Sequence, residues 1–158
     1  MTQAAEPSRA QQARALIERR RYGVLATAFH KEAGQPYGST APYAVDAEGR
    51  PIFLFANLAT HYRNLLLEPR ASFVVWDEGL EREPMDSPRV TLIGRCLGVP
   101  EGEWKEAGAL YFARFPETRE FLGLGFEFFR LEIESIHWVG GFGGAGWPTV
   151  TDYRAAGR

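Results

Sequence analysis

A strand, a helix of about two turns and a second strand follow one another from Phe53 to Trp76 (FLFANLATHYRNLLLEPRASFVVW), and no other stretch constrains the fold as much. Phe53 to Phe55 and Ser72 to Trp76 are aromatic and β-branched, the composition of buried strands. Between them Thr60 is placed to cap the helix, because its hydroxyl can accept a free N–H of the first turn. Pro69 stops the helix, since the residue before a proline is pushed out of helical geometry. The first turn leaves N–H groups unpaired at the positive end of the peptide dipoles, which makes it an anion site. Thr60, His61 and Arg63 add a hydroxyl, an imidazole and a guanidinium there, so a phosphate is the expected guest. As a cation, His61 would make such binding weaken as the pH rises through neutrality. The plainer alternative is a capped connector with solvated side chains.

The rest of the chain supplies strands around this unit. Residues 1–8 read as a loose polar arm, and from Arg9 a helix capped by Ser8 carries Ala13, Leu16 and Ile17 at helical spacing. It ends in Arg19-Arg20-Arg21, a cluster that complements the helix dipole better than it suggests nucleic acid. Tyr22 to Phe29 is a strand and Pro36 to Asp46 a second, with Pro42 disfavouring a fully paired place. Ala47 to Arg50 is a hairpin turn leading to Pro51 to Asn57, and Ala71 to Asp77 follows the central helix. Arg89 to Val99 is a long strand in which Gly94 and Gly98 make a bulge or bend cheap. Glu101 to Phe115 is a helix with Trp104, Ala107, Leu110, Tyr111 and Arg114 along one side, and Glu117 to Leu122 forms a shorter one. Phe126 to Val139 alternates, with Phe129, Leu131 and Ile133 on one face and Arg130, Glu132 and Glu134 on the other, the mark of a half-buried antiparallel strand. The fold class is therefore mainly β with helices: a six-stranded antiparallel barrel with helices over its openings, one domain over 9–147 and a tail over 148–158.

Composition narrows the function. With 45% hydrophobic and 13% aromatic residues the chain has a full core, and a formal net charge of −2 offers no pull toward nucleic acid or an anionic membrane. No run reaches the ~20 apolar residues of a membrane span, and the polar start is no signal peptide. The single Cys96 cannot form an internal disulfide, so a reducing, cytoplasmic setting is the default. His30, His61 and His137 lack ligand spacing, and no metal site is expected. Ser39 has no evident base, and Glu78, Glu81, Glu83 and Asp86 read as a solvated loop.

The order of elements and the residues within them resemble the FMN-binding split-barrel superfamily typified by pyridoxamine 5′-phosphate oxidase. Within it the likeness is to the haem-utilisation, HugZ-like branch. Arg21 to Thr27, Gly34 to Ser39 with Pro42-Tyr43-Ala44, Leu58 to Leu65, Pro69 to Ser72, Pro88 to Leu92 and Val139 to Gly143 carry it. The resemblance implies a split-barrel homodimer with FMN in a groove between protomers, acting as a flavoprotein oxidoreductase on a small-molecule substrate the sequence does not name. It places Ser39, Thr40, Thr60, His61 and Arg63 at the flavin phosphate, adds an amide hydrogen bond from Asn64, and sets Val75 and Trp76 near the ring system; no catalytic residue is implied. The alternative is a haem-binding protein using the same groove, and a third option is a flavin carrier without turnover. The oxidase ends in an arginine- and tryptophan-rich segment that this chain lacks. Haem-degrading members of the branch carry a further domain with a haem-ligating histidine, and none follows His137, so haem handling without degradation is the expectation.

Gly141 to Gly146 matches G-x-G-x-x-G but is rejected as a dinucleotide fingerprint, because Trp147-Pro148 is no context for a following helix and no second strand remains. The glycine-rich end, anchored by Phe142 and Trp147, is expected to pack on a dimer partner, leaving a barrel that folds without it.

Overall fold

The computed structural model describes residues 3–157; Met1 and Thr2 of the expected arm and Arg158 of the tail lie outside the described residues. Helix α1 (Arg9–Arg19) starts at a reciprocal cap. Ser8 Oγ accepts from the Gln11 N–H at 3.2 Å, and the Gln11 side chain accepts from the Ser8 N–H at 2.8 Å. The strands that follow are β1 (Tyr22–Ala28), β2 (Pro36–Pro42), β3 (Ala44–Val45) and β4 (Pro51–Ala56). Helix α2 (Thr60–Leu67), β5 (Arg70–Trp76), β6 (Pro88–Gly98), α3 (Trp104–Arg114) and β7 (Phe126–Gly140) come next, then β8 (Ala145–Gly146) and α4 (Val150–Ala155).

All strands join one antiparallel sheet in the order β2-β1-β5-β6-β7-β4-β3, with β8 added beside β7. Among the described residues eight strands thus replace the expected six; the six longer ones match the sequence reading, and the extra two are pairings of only two residues each. The sheet curls on itself. Phe73 on β5 packs edge-on against Phe53 on β4 with centroids 5.0 Å apart, although β6 and β7 separate these strands along the sheet. Leu25, Phe73, Leu92, Leu131 and Ile136 fill the interior, α1 closes one opening with Leu16 and Ile17, and α2 inserts Leu65 at the other. β4 is buried on both faces, because α3 covers Ile52, Leu54 and Phe128 from outside.

Three local expectations are corrected. Ala59, not Thr60, is the N-cap of α2, and it makes no side-chain capping bond; Thr60 is the first helical residue. The apolar side of α3 is turned from the one expected: Ala107, Tyr111 and Phe112 are buried, while Leu110 faces water. The glycine-rich end is followed by a helix after all. Thr149 Oγ1 accepts from the Asp152 N–H at 3.1 Å, so α4 begins right after Pro148, which sits outside it where a missing N–H costs nothing. Tyr153 of α4 is fully buried in the barrel core and its hydroxyl donates to Gly49 O at 2.5 Å. Arg14 on α1, itself buried, donates to the carbonyls of Tyr153 at 3.1 Å and Arg154 at 3.2 Å. Helix α4 thus packs on its own protomer, while Phe142 and Trp147 of the glycine-rich end stay exposed.

Candidate functional site

Strand parity sorts the residues expected at the site onto different faces. Ser39 pairs with Leu25 and points with it toward the interior, where its hydroxyl is buried without a partner. Thr40, the next residue, pairs with Val24 on the outer face. Val75 is fully enclosed in the core, whereas Trp76 faces outward, edge-on to Tyr22 at 5.9 Å. The protomer does not gather the eight residues at one point.

The helix start keeps part of its expected role. Thr60 and Arg63 remain at the surface of the first turn. His61 instead packs edge-on against Phe55, centroids 4.4 Å apart, and burial holds its pKa below the usual histidine value, so near neutrality it is uncharged. This removes the cation from the expected pH dependence. Asn64 has no exposed surface, and its amide is spent within the fold. Nδ2 donates to Thr27 Oγ1 at 2.9 Å, and Oδ1 accepts from the His30 N–H at 2.9 Å and lies 2.6 Å from His30 Nδ1. Asn64 ties α2 to the end of β1 and positions His30.

The open surface lies on the other side of the sheet. Across β2, β1, β5, β6 and β7 the register lines up Gly38, Ala26, Ser72, Ile93 and Ser135 in one row and Thr40, Val24, Val74, Thr91 and His137 in the next. Apart from His137 these residues are small or β-branched, so little else rises above the pleat. A groove of about 540 Å³ runs along this floor beside Ala26, Ala28, Ser72 and Ile93, with Arg70 and Glu134 at its rim. Trp147, held at the sheet edge by β8, stacks on His137 with centroids 4.4 Å apart and planes 27° apart. Among the described residues no helix covers this face. It offers an open, half-apolar floor bordered by Tyr22 and Trp76 at one end and by a stacked imidazole at the side. Sequence reasoning set His137 aside for want of ligand spacing, although the alternation of β7 carried the signal: His137 falls opposite in parity to the buried Ile136 and Trp138.

The strand order, the curl and the helices over both openings define the class, a β+α protein built on an antiparallel half-barrel sheet. The chain belongs to the CREG β-barrel family, whose family model matches residues 4–155, and so to the FMN-binding split-barrel superfamily and its haem-utilisation branch. It is 32% identical over 140 residues to the chloroplastic non-canonical haem oxygenase HOZ of Arabidopsis thaliana, covering 85% of this chain and 42% of that protein. A haem-binding protein from Mycobacterium smegmatis superposes with a TM-score of 0.87 at 29% identity, over 96% of this chain and 62% of that one. HutZ, the haem storage protein of Vibrio cholerae, matches with a TM-score of 0.66 at 27% identity, over 78% of this chain and 88% of its own. This chain thus spans less than two thirds of the length of the first two relatives.

Proposed function

We propose that this protein binds haem on the outer face of β2-β1-β5-β6-β7 and handles it as a homodimer, with a second copy closing over the floor. The observation that carries the reading is the floor itself, two rows of small and β-branched residues with His137 at one end, aligned across five strands and left uncovered by any helix among the described residues. A planar apolar ring needs such a surface, because burying it removes apolar area from water at roughly 25 cal/mol per Å². The relatives described as binding, storing or oxidising haem give the reading its chemical name.

When bound, haem supplies the redox chemistry, and the chain's own residues supply the surroundings. Val24 and Val74 would exclude water from one ring face, Thr40 and Thr91 offer hydroxyls beside it, and Trp76 and Trp147 border it. His137 is the imidazole this face carries, and stacking on Trp147 restricts its ring. Hemin titrated into the purified protein should give a saturable, sharpened Soret band, and His137→Ala should shift that band or weaken binding. An absorbance that rises without saturation, as free hemin does, would overturn the proposal.

FMN is the second reading, favoured by one observation: an exposed Arg63 and a half-buried Thr60 share the first turn of α2, where unpaired N–H groups and the helix dipole suit a phosphate. With His61 uncharged and Asn64 engaged, that cradle holds fewer donors than the sequence promised. Flavin released by denaturing freshly purified protein would favour this reading over haem.

A further inference from the structure

A second concavity opens where the barrel's α1 end meets the uncovered floor. About 480 Å³ in volume, it lies between the Arg19-Arg20-Arg21 link, Phe115 beyond α3, and Thr40 and Pro42 on β2. Tyr22 and Thr40 belong both to this pocket and to the floor, so the two are continuous. Its walls are apolar at Phe115, Tyr22 and Pro42, and its polar groups are chiefly cationic.

The arginines are only partly engaged. Arg19 pairs with Asp77 at 2.5 Å and Arg20 with Glu78 at 2.9 Å. The Arg20 Nε is buried without an acceptor. Arg21 lies over the Phe115 ring at 5.0 Å and makes one long bond, 3.3 Å, to the Arg114 carbonyl. Three guanidinium groups therefore face two carboxylates, and the side chain of Glu78 is 79% exposed, a loosely held counter-ion. A buried donor without an acceptor is costly, and an incoming oxyanion satisfies it. The basic cluster does more here than complement the dipole of α1.

We propose that this pocket binds the anionic arm of a flat ligand lying on the floor, with Arg20 and Arg21 gripping its oxygens and Glu78 giving way. Resting on the haem reading above, the arm is a propionate carboxylate; a flavin phosphate has the same chemistry. The pocket sits at the opposite end of β1 from α2, so it is distinct from the phosphate cradle expected at Thr60 to Arg63.

The test compares hemin with hemin dimethyl ester, whose carboxylates are masked, in wild-type, Arg20→Gln, Arg21→Gln and Glu78→Gln proteins, each first shown to melt cooperatively. Each arginine variant should weaken hemin by about tenfold, near the effect of one charge-assisted hydrogen bond, and leave the ester within about twofold. Glu78→Gln should tighten hemin by removing the competing carboxylate. Equal losses for hemin and ester, or no change from any of the three, would end the proposal while leaving haem binding intact. Failure of wild type to bind hemin would end the haem reading instead. The pocket would then be judged by FMN against riboflavin in the same variants, and an unchanged preference there would refute it as well.

Discussion

At the residue scale, His61 and Asn64 show how one helix turn can hold both the advertised chemistry and its absence. All of Thr60, His61, Arg63 and Asn64 looked available in sequence; burial removes two of them. The imidazole against Phe55 is kept neutral by desolvation, and this has a consequence for stability. An unfolded histidine titrates near pH ~6.5 and the folded His61 below that, so the unfolded chain takes up the proton first as the pH falls. The contribution of neutral His61 is complete above pH ~6.5 and is lost as the pH drops below it. His61→Gln should therefore lose less stability than wild type between pH 7 and pH 5 in paired urea titrations. Parallel losses in the two proteins would show that His61 is not desolvated.

At the scale of elements, the pairing of β6 with β7 determines which side chains reach the floor. The register slips at Ile93 and Gly94, where Ser135 and then Ile133 are the partners, so Glu134 is the extra residue on β7. That slip lets Ile133 and Ile136, three apart, both face the core, and it turns Ser135 and His137 outward. The bulge depends on Gly94, because a Cβ there would lie 1.9 Å from Glu132 O. Gly94→Ala should cost about 1–3 kcal/mol through forced backbone movement. Gly98→Ala, in open space, should cost far less. Similar melting temperatures for the two variants would mean that the bulge shifts freely.

At the scale of the whole molecule, the two ends of the chain lock each other. Arg14 of α1 holds the α4 carbonyls, Tyr153 fills the core and bonds to Gly49, and Tyr43 donates to Ile17 O at 2.5 Å. A chain cut after Pro148 loses a fully buried tyrosine and two carbonyl acceptors of Arg14, which keeps only Glu18 and the Ala47 carbonyl. The tyrosine alone costs about 3–5 kcal/mol, a large share of the ~5–15 kcal/mol that stabilises a domain. The truncated protein should melt well below the full chain by circular dichroism. A folded truncation with the wild-type transition would restore the expectation of a barrel independent of its tail. Phe142→Ala, at a residue 77% exposed, should leave the transition in place.

The six longer strands, the helix of the central unit, the Ser8 cap and the family resemblance were legible in sequence because each rests on local rules: period, capping chemistry and the effect of proline. Thr60 and Arg63 were legible for the same reason, as residues of one turn. Tertiary structure alone decided which of those groups stay open, since burial against Phe55 and Thr27 is set by residues outside the helix. It also decided that α4 folds back: local rules weighed Trp147-Pro148 and could not weigh the core cavity that receives Tyr153. The outer floor and its basic end likewise arise from register across five strands and from the Arg19-Arg20-Arg21 link lying beside β2. These relations join residues far apart in the chain, so only the packed molecule brings them together.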